Sequence, residues 1–185
     1  MDESMRAAKD GKNGLYLLAA VVADPGKCDV VRDGLASLLL KGALRLHWRD
    51  ETEMRRCKIA ALIGSHDLAH LVVVGAPINH RRQERARAQC MERLLYELDQ
   101  LGVSEVWLET RHFALNERDL RLVEALRGKR SVSSGIRVGF SRPKDEPMLW
   151  VPDAVAGAVN AATSGGDTDA MDGFGEIEII NLNLS

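Results

Sequence analysis

Cysteine is scarce in this chain of 185 residues. Cys28, Cys57 and Cys90 are odd in number, far apart and never spaced Cys-x-x-Cys, so neither a disulfide framework nor a zinc site is indicated. Aromatic residues make up only 4% of the chain, which disfavours a platform that stacks the bases of a single strand. No apolar run approaches the ~20 residues that span a bilayer, and residues 1–14 are charged where a signal peptide needs an apolar stretch. The expectation is a cytoplasmic protein without membrane contact. Also missing are internal repeats, a glycine-rich phosphate loop of the Walker or dinucleotide type, a nucleophile elbow and any base-reading motif, which removes several large enzyme classes.

What is present is ordinary globular material, 45% apolar and 28% charged, and its length suits one domain with one core. The net charge of -2 hides an asymmetry: His80, Arg81, Arg82, Arg85 and Arg87 form a basic cluster, while Asp167, Asp169, Asp172, Glu176 and Glu178 make the tail acidic. A basic cluster attracts phosphates. Its plainer reading is a solvated helix face with Glu84 among the arginines.

Apolar periodicity alternates between strand and helix along the chain. Residues 15–23 form a continuous apolar run closed by Asp24-Pro25-Gly26, the pattern of a buried strand. Residues 30–40 have helical spacing and stop at Lys41-Gly42. In 43–49, Leu44, Leu46 and Trp48 alternate with Arg45, His47 and Arg49, the period of a half-buried strand. Asp50 is placed to cap a helix over 51–65. The run 68–78 is nearly all apolar, as a central strand covered on both faces must be. A long helix over 81–101 follows, stopped by Gly102. Then come a strand over 103–111, a helix over 116–126, a short strand over 136–140 and a helix over 152–162. The expected fold is α/β, with a mixed central sheet and helices on both faces. Residues 1–163 form the domain; 164–185 read as an acidic linker and a short C-terminal tail that forms a strand or binds a partner.

In such a sheet, sites form at the carboxyl ends of strands. Glu109 sits late in its strand, on the face shared with Trp107 if Val106 and Leu108 pack inward, and a carboxylate there must be paired or bind a metal. Arg111, two residues on, offers a plain ion pair. Asp153 opens a helix whose Ala154, Ala156, Gly157 and Ala158 allow close approach to the sheet. By itself it could simply complement the helix dipole. Beside a strand-end carboxylate it would suit a divalent cation, since Mg²⁺ takes hard oxygen ligands and needs only one or two carboxylates plus substrate phosphate. Asp2 and Glu3 form a third acidic group. His47 could hold a phosphate or shuttle a proton, or be mere surface, and Asp119 reads as part of a solvated helix face.

The opening Asp2-Glu3-Ser4 followed by Arg6, then Tyr16-Leu17-Leu18-Ala19-Ala20-Val21-Val22, Trp107-Leu108-Glu109-Thr110-Arg111, and late Pro152-Asp153-Ala154-Val155-Ala156-Gly157-Ala158, together resemble an uncharacterised bacterial family of ribonuclease H-like proteins over residues 2–162. Met5 stands where the family usually has glycine, and Glu109 where Asp is common. The resemblance implies a ribonuclease H-like fold that gathers carboxylates from the first strand, a middle strand and the last helix around two Mg²⁺ or Mn²⁺ ions. Such ions, ~3.5–4 Å apart, stabilise the attacking water and the leaving oxygen of a phosphodiester. It implies Asp2, Glu109 and Asp153 as catalytic ligands, with Glu3 or Glu51 as a further ligand.

The function expected is therefore a metal-dependent nuclease or phosphodiesterase acting on DNA or RNA, with Arg81, Arg82, Arg85, Arg87 and His47 meeting the nucleic-acid backbone. The alternative is a catalytically inactive ribonuclease H-like module that binds a partner protein, or a second copy, through the tail or the arginine helix. A third reading is a plain α/β domain whose acidic residues are caps and ion pairs. It fails if Asp2, Glu109 and Asp153 converge within metal-bridging distance.

Overall fold

The computed structural model describes residues 1–6, 14–78, 80–166 and 168–185; Asp167 and the side chain of His80, each counted above in a charge cluster, lie outside them. The described residues form six strands, β1 (Asp2–Arg6), β2 (Gly14–Val22), β3 (Ala69–Ile78), β4 (Glu105–Glu109), β5 (Arg137–Ser141) and β6 (Ile177–Asn183). Five α-helices accompany them: α1 (Cys28–Ser37), α2 (Glu53–Gly64), α3 (Gln83–Gln100), α4 (Phe113–Gly128) and α5 (Trp150–Thr163). The α/β layering with a mixed sheet is as expected.

β2 and β3 are apolar on both sides because both sides are covered. Leu15, Leu17 and Ala19 of β2, with Val72 and Val74 of β3, pack against α1, α2 and α5. Tyr16, Leu18 and Ala20, with Leu71 and Val73, pack against α3, β4 and α4. Each buried Leu or Val contributes about 1.5–3 kcal/mol. A slip of one residue would exchange the two sets of side chains between two differently shaped cores, which fixes the register.

β1 pairs antiparallel with β2, β2 antiparallel with β3, and β3 parallel with β6. β4 and β5 form a parallel pair of their own. The two sheets meet at Met1, whose nitrogen donates to Trp107 O (2.7 Å) and whose carbonyl accepts from Glu109 N (3.2 Å). β1 thus begins alongside the end of β4, and Asp2 comes to lie beside Glu109.

Three expectations fail. Residues 43–49 form no strand: Leu44 is exposed, while Leu46 and Trp48 are buried from a turn and a short 3-10 turn at Trp48–Asp50. Alternate burial is what a strand and a docked loop share, so period 2 over so few residues does not separate them. Asp50 belongs to that 3-10 turn, and Thr52 holds the N-cap position of α2 without a side-chain bond. Arg81 and Arg82 lie in a 3-10 turn ahead of α3, which ends as expected at Gly102, a positive-φ residue (75°).

Residues 164–185, expected as linker and tail, are docked on the domain in their described part. A 3-10 turn at Met171–Phe174 buries Phe174, whose ring lies 5.7 Å from that of Trp48 and 6.1 Å, edge-on, from that of His70. The turn comes so close to α2 that a Cβ on Gly64 would stand 2.0 Å from the carbonyl oxygen of Gly173. β6 then closes the sheet beside β3. Among the described residues no helix is long and apolar enough to cross a membrane.

Two predictions follow from this packing. Phe174→Ala should lower unfolding free energy by about 3 kcal/mol or more, as for other buried Phe truncations, whereas a solvated linker would make it silent in a denaturant titration. His70 is buried, its Nδ1 has no hydrogen-bond partner among the described residues, and burial holds its pKa below the usual histidine value. Its proton is therefore taken up more readily by the unfolded chain, so stability is full above pH ~6.5 and declines as pH falls below it. His70→Leu should lose that part of the acid decline; an unchanged difference in stability between pH 7.5 and 5.5 would contradict the assignment.

Candidate active site: a carboxylate cleft rimmed by arginine

Strand geometry divides the acidic opening between two faces. Asp2 is paired with Ala19 and Glu3 with Leu18, residues of opposite cores. Asp2 therefore points to the α5 side and Glu3 to the α3 side. Met1 stands between the Trp107 and Glu109 rungs, so Asp2 and Glu109 project together.

The third carboxylate arrives from α5. Asp153, Gly157, Asn160, Ala161 and Ser164 recur at helical spacing and form one stripe of that helix. The stripe lines a cleft of about 760 Å³ that also contains Asp2 and Glu109. Its base is tied to β1 where Asn160 Nδ2 donates to Ser4 Oγ (2.8 Å). The amide of Trp48 donates to Asp153 Oδ2 (2.8 Å), and the amide of Glu3 to Asp2 Oδ1 (2.8 Å). Asp153 is thus held by the loop opposite, beyond any interaction with its own helix dipole.

The three acids are mutually strained. Burial raises the pKa of Asp2, and the Asp153 charge raises it further. Glu109 is pushed up to about 7 by burial and then by the neighbouring Asp2 charge. Burial also lifts Asp153 against the opposing pull of the Trp48 amide, His47 and Arg45. Desolvated like charges at one point are the arrangement in which a carboxylate resists ionising. Compensation from the protein is partial: Arg45 reaches Glu109 at 3.4 Å while itself well exposed.

Around these acids the cleft carries Arg6, Arg45, Arg49, Arg56 and Arg111, together with His47. His47 lies on the docked loop that replaces the expected strand, half-buried, its Nδ1 without a hydrogen-bond partner among the described residues. Arg45 and Arg49 were visible as its neighbours in the alternating run, and Arg6 as part of the opening motif; Arg56 carried no sequence signal.

Other candidates go elsewhere. Glu3 pairs with Arg87 on the far face of β1, and Glu51 pairs with Arg55 and does not line the cleft. Arg87 is buried, not offered to a nucleic-acid backbone: it binds Asp119 (2.9 Å) and Glu3 beside Tyr16. Asp119, expected on a solvated face, is buried and also receives Arg111 (2.9 Å). Arg111 further pairs with Glu84 (2.8 Å) and not with Glu109. Arg81, Arg82 and Arg85 are exposed and outside the cleft lining.

Among the described residues, no three His, Cys, Asp or Glu side chains stand close enough as placed to hold an ion together. The donor set nonetheless has the chemistry of a hard-cation site: carboxylate oxygens, no thiolate, and raised pKa values that a cation would pull back down.

Comparison with protein-family models, with curated proteins and with solved structures finds no match for the chain.

Proposed function

We propose that the chain is a ribonuclease H-like, divalent-metal-dependent nuclease or phosphodiesterase. The observation that carries the reading is the meeting of Asp2, Glu109 and Asp153, from the first strand, a middle strand and the last helix, in one cleft rimmed by arginines. A set of caps and ion pairs has no reason to bring incompletely neutralised carboxylates from three separate segments into one cleft. A cation site does, because the dication and the carboxylates offset each other's desolvation.

Asp2, Glu109 and Asp153 would hold Mg²⁺ or Mn²⁺; Glu3 and Glu51 are committed to arginines and would not. When bound, the ions supply the polarised water and stabilise the leaving oxygen. The chain's own residues do the rest. The Trp48 amide keeps the Asp153 carboxylate aimed at the cleft. Arg45, Arg49 and His47 on one wall, and Arg6 on the other, present donors to the non-reacting oxygens of a phosphodiester backbone, DNA or RNA. Arg56 contributes less directly, since its guanidinium donates to the Trp48 and Arg49 carbonyls.

The test is a cleavage assay with Mn²⁺ on mixed single- and double-stranded DNA and RNA, wild type against Asp153→Asn. Wild type should cleave at least one substrate, and the variant should lose roughly 100-fold or more with its fold intact. The thermal midpoint of wild type should also rise with Mn²⁺ and that of the variant should not. No cleavage by wild type, together with a midpoint indifferent to Mn²⁺, would make the cleft something else.

A further inference from the structure

Gly157 lies one helical turn beyond Asp153 on the same stripe of α5, and it is where the opposing loop comes down. A Cβ there would stand 2.1 Å from Trp48 Cδ1, 2.7 Å from Cγ and 2.9 Å from Nε1. The pyrrole edge of the indole occupies the space a side chain would take. Trp48 is fixed from the other directions as well: the Arg56 guanidinium sits 5.5 Å from the ring centroid, Arg56 Nε donates to Trp48 O (3.1 Å), and Phe174 packs beside the ring.

The same residue holds Asp153 through its amide, and its loop carries Arg45 and His47, whose charges act on that carboxylate. From this contact we infer that Gly157 and Trp48 are a positioning pair: the indole seated on the bare glycine backbone sets both the direction of the Asp153 carboxylate and the approach of the cationic loop to the cleft. The inference rests on the reading of the cleft as a metal site. Neither residue touches the reacting atoms. An added methyl at 157 has no way around the ring, so the indole must lift, and its amide leaves Asp153 as it lifts. An ordinary packing contact would change stability alone.

Isothermal titration with Mn²⁺, read beside the thermal midpoint, separates the two roles. Gly157→Ala should weaken Mn²⁺ affinity roughly 10–100-fold, the range for residues that orient metal ligands. Trp48→Phe leaves the amide in place and shrinks the ring, so the double variant Gly157→Ala/Trp48→Phe should recover affinity to within about 3-fold of Trp48→Phe alone, on the size compensation that packed cores allow. If Gly157→Ala does not fold, Trp48→Leu removes the seat without a clash and should weaken Mn²⁺ binding alike. Wild-type affinity in Gly157→Ala or in Trp48→Leu, with Asp153→Asn unable to bind, overturns the positioning role and leaves the metal site standing. Wild-type affinity in Asp153→Asn overturns both.

Discussion

Two backbone hydrogen bonds at Met1 join the parts on which everything else depends. They join β1 to the edge of the β4–β5 pair, which packs against α3 and α4. With them the end of β4 runs beside the start of β1, and the pleat does the rest: Met1 and Leu108 face the α3 core while Asp2 and Glu109 face the other way. The convergence of two carboxylates is thus a consequence of strand register, with no loop required to bring them together. α5 supplies the third because its small residues let it lie close against β1 and β2, which puts the first turn, and Asp153 in it, in the same cleft.

The register also explains why neighbouring acids in the opening motif have different fates. Glu3, one residue on, turns to the α3 side and meets Arg87, which with Asp119, Arg111 and Glu84 makes a chain of alternating charge. Every member has an opposite partner, though burial still outweighs Arg87 in raising the pKa of Glu3, and removing one partner of such a buried pair typically costs about 3–5 kcal/mol. On the other face Arg45 and the Met1 ammonium offset the acids only in part. A single strand thus separates a chain of paired charges behind it from a partly paired cluster of acids in front.

Much of the layering was legible in the sequence because it is written in runs long enough to carry a period. The 15–23 and 68–78 runs are apolar on both faces and became β2 and β3; the stripe of α3 and the stop at Gly102 were equally plain. Asp2, Glu109 and Asp153 were legible as candidates from position and neighbours. What was not legible depends on contacts between distant segments. Asp119 sits between Asn116, Glu117 and Arg118 in sequence, which looks like solvent, and only the arrival of Arg87 from another helix buries it. The loop at 43–49 reads as a strand because Leu46 and Trp48 are buried two apart, and what they are buried against lies about a hundred residues later.

That loop shows how an irregular segment can be specified as tightly as a strand. Its tryptophan is buried from three directions by α2, α5 and the turn before β6, so burial of a large aromatic surface, and not a ladder of backbone bonds, fixes its path. A strand at this place would satisfy its own amides with a neighbour's carbonyls. A docked loop leaves amides available, and here one of them is spent on Asp153. The same choice keeps Arg45 and His47 on a segment anchored at one residue, close enough to act on the carboxylates yet exposed enough that Arg45 neutralises Glu109 only weakly. A stronger, buried pair at that position would have completed the charge balance of the cleft as Arg87 completes it behind β1. The half-made pair leaves the Glu109 carboxylate reachable from solvent and its charge only partly matched within the protein.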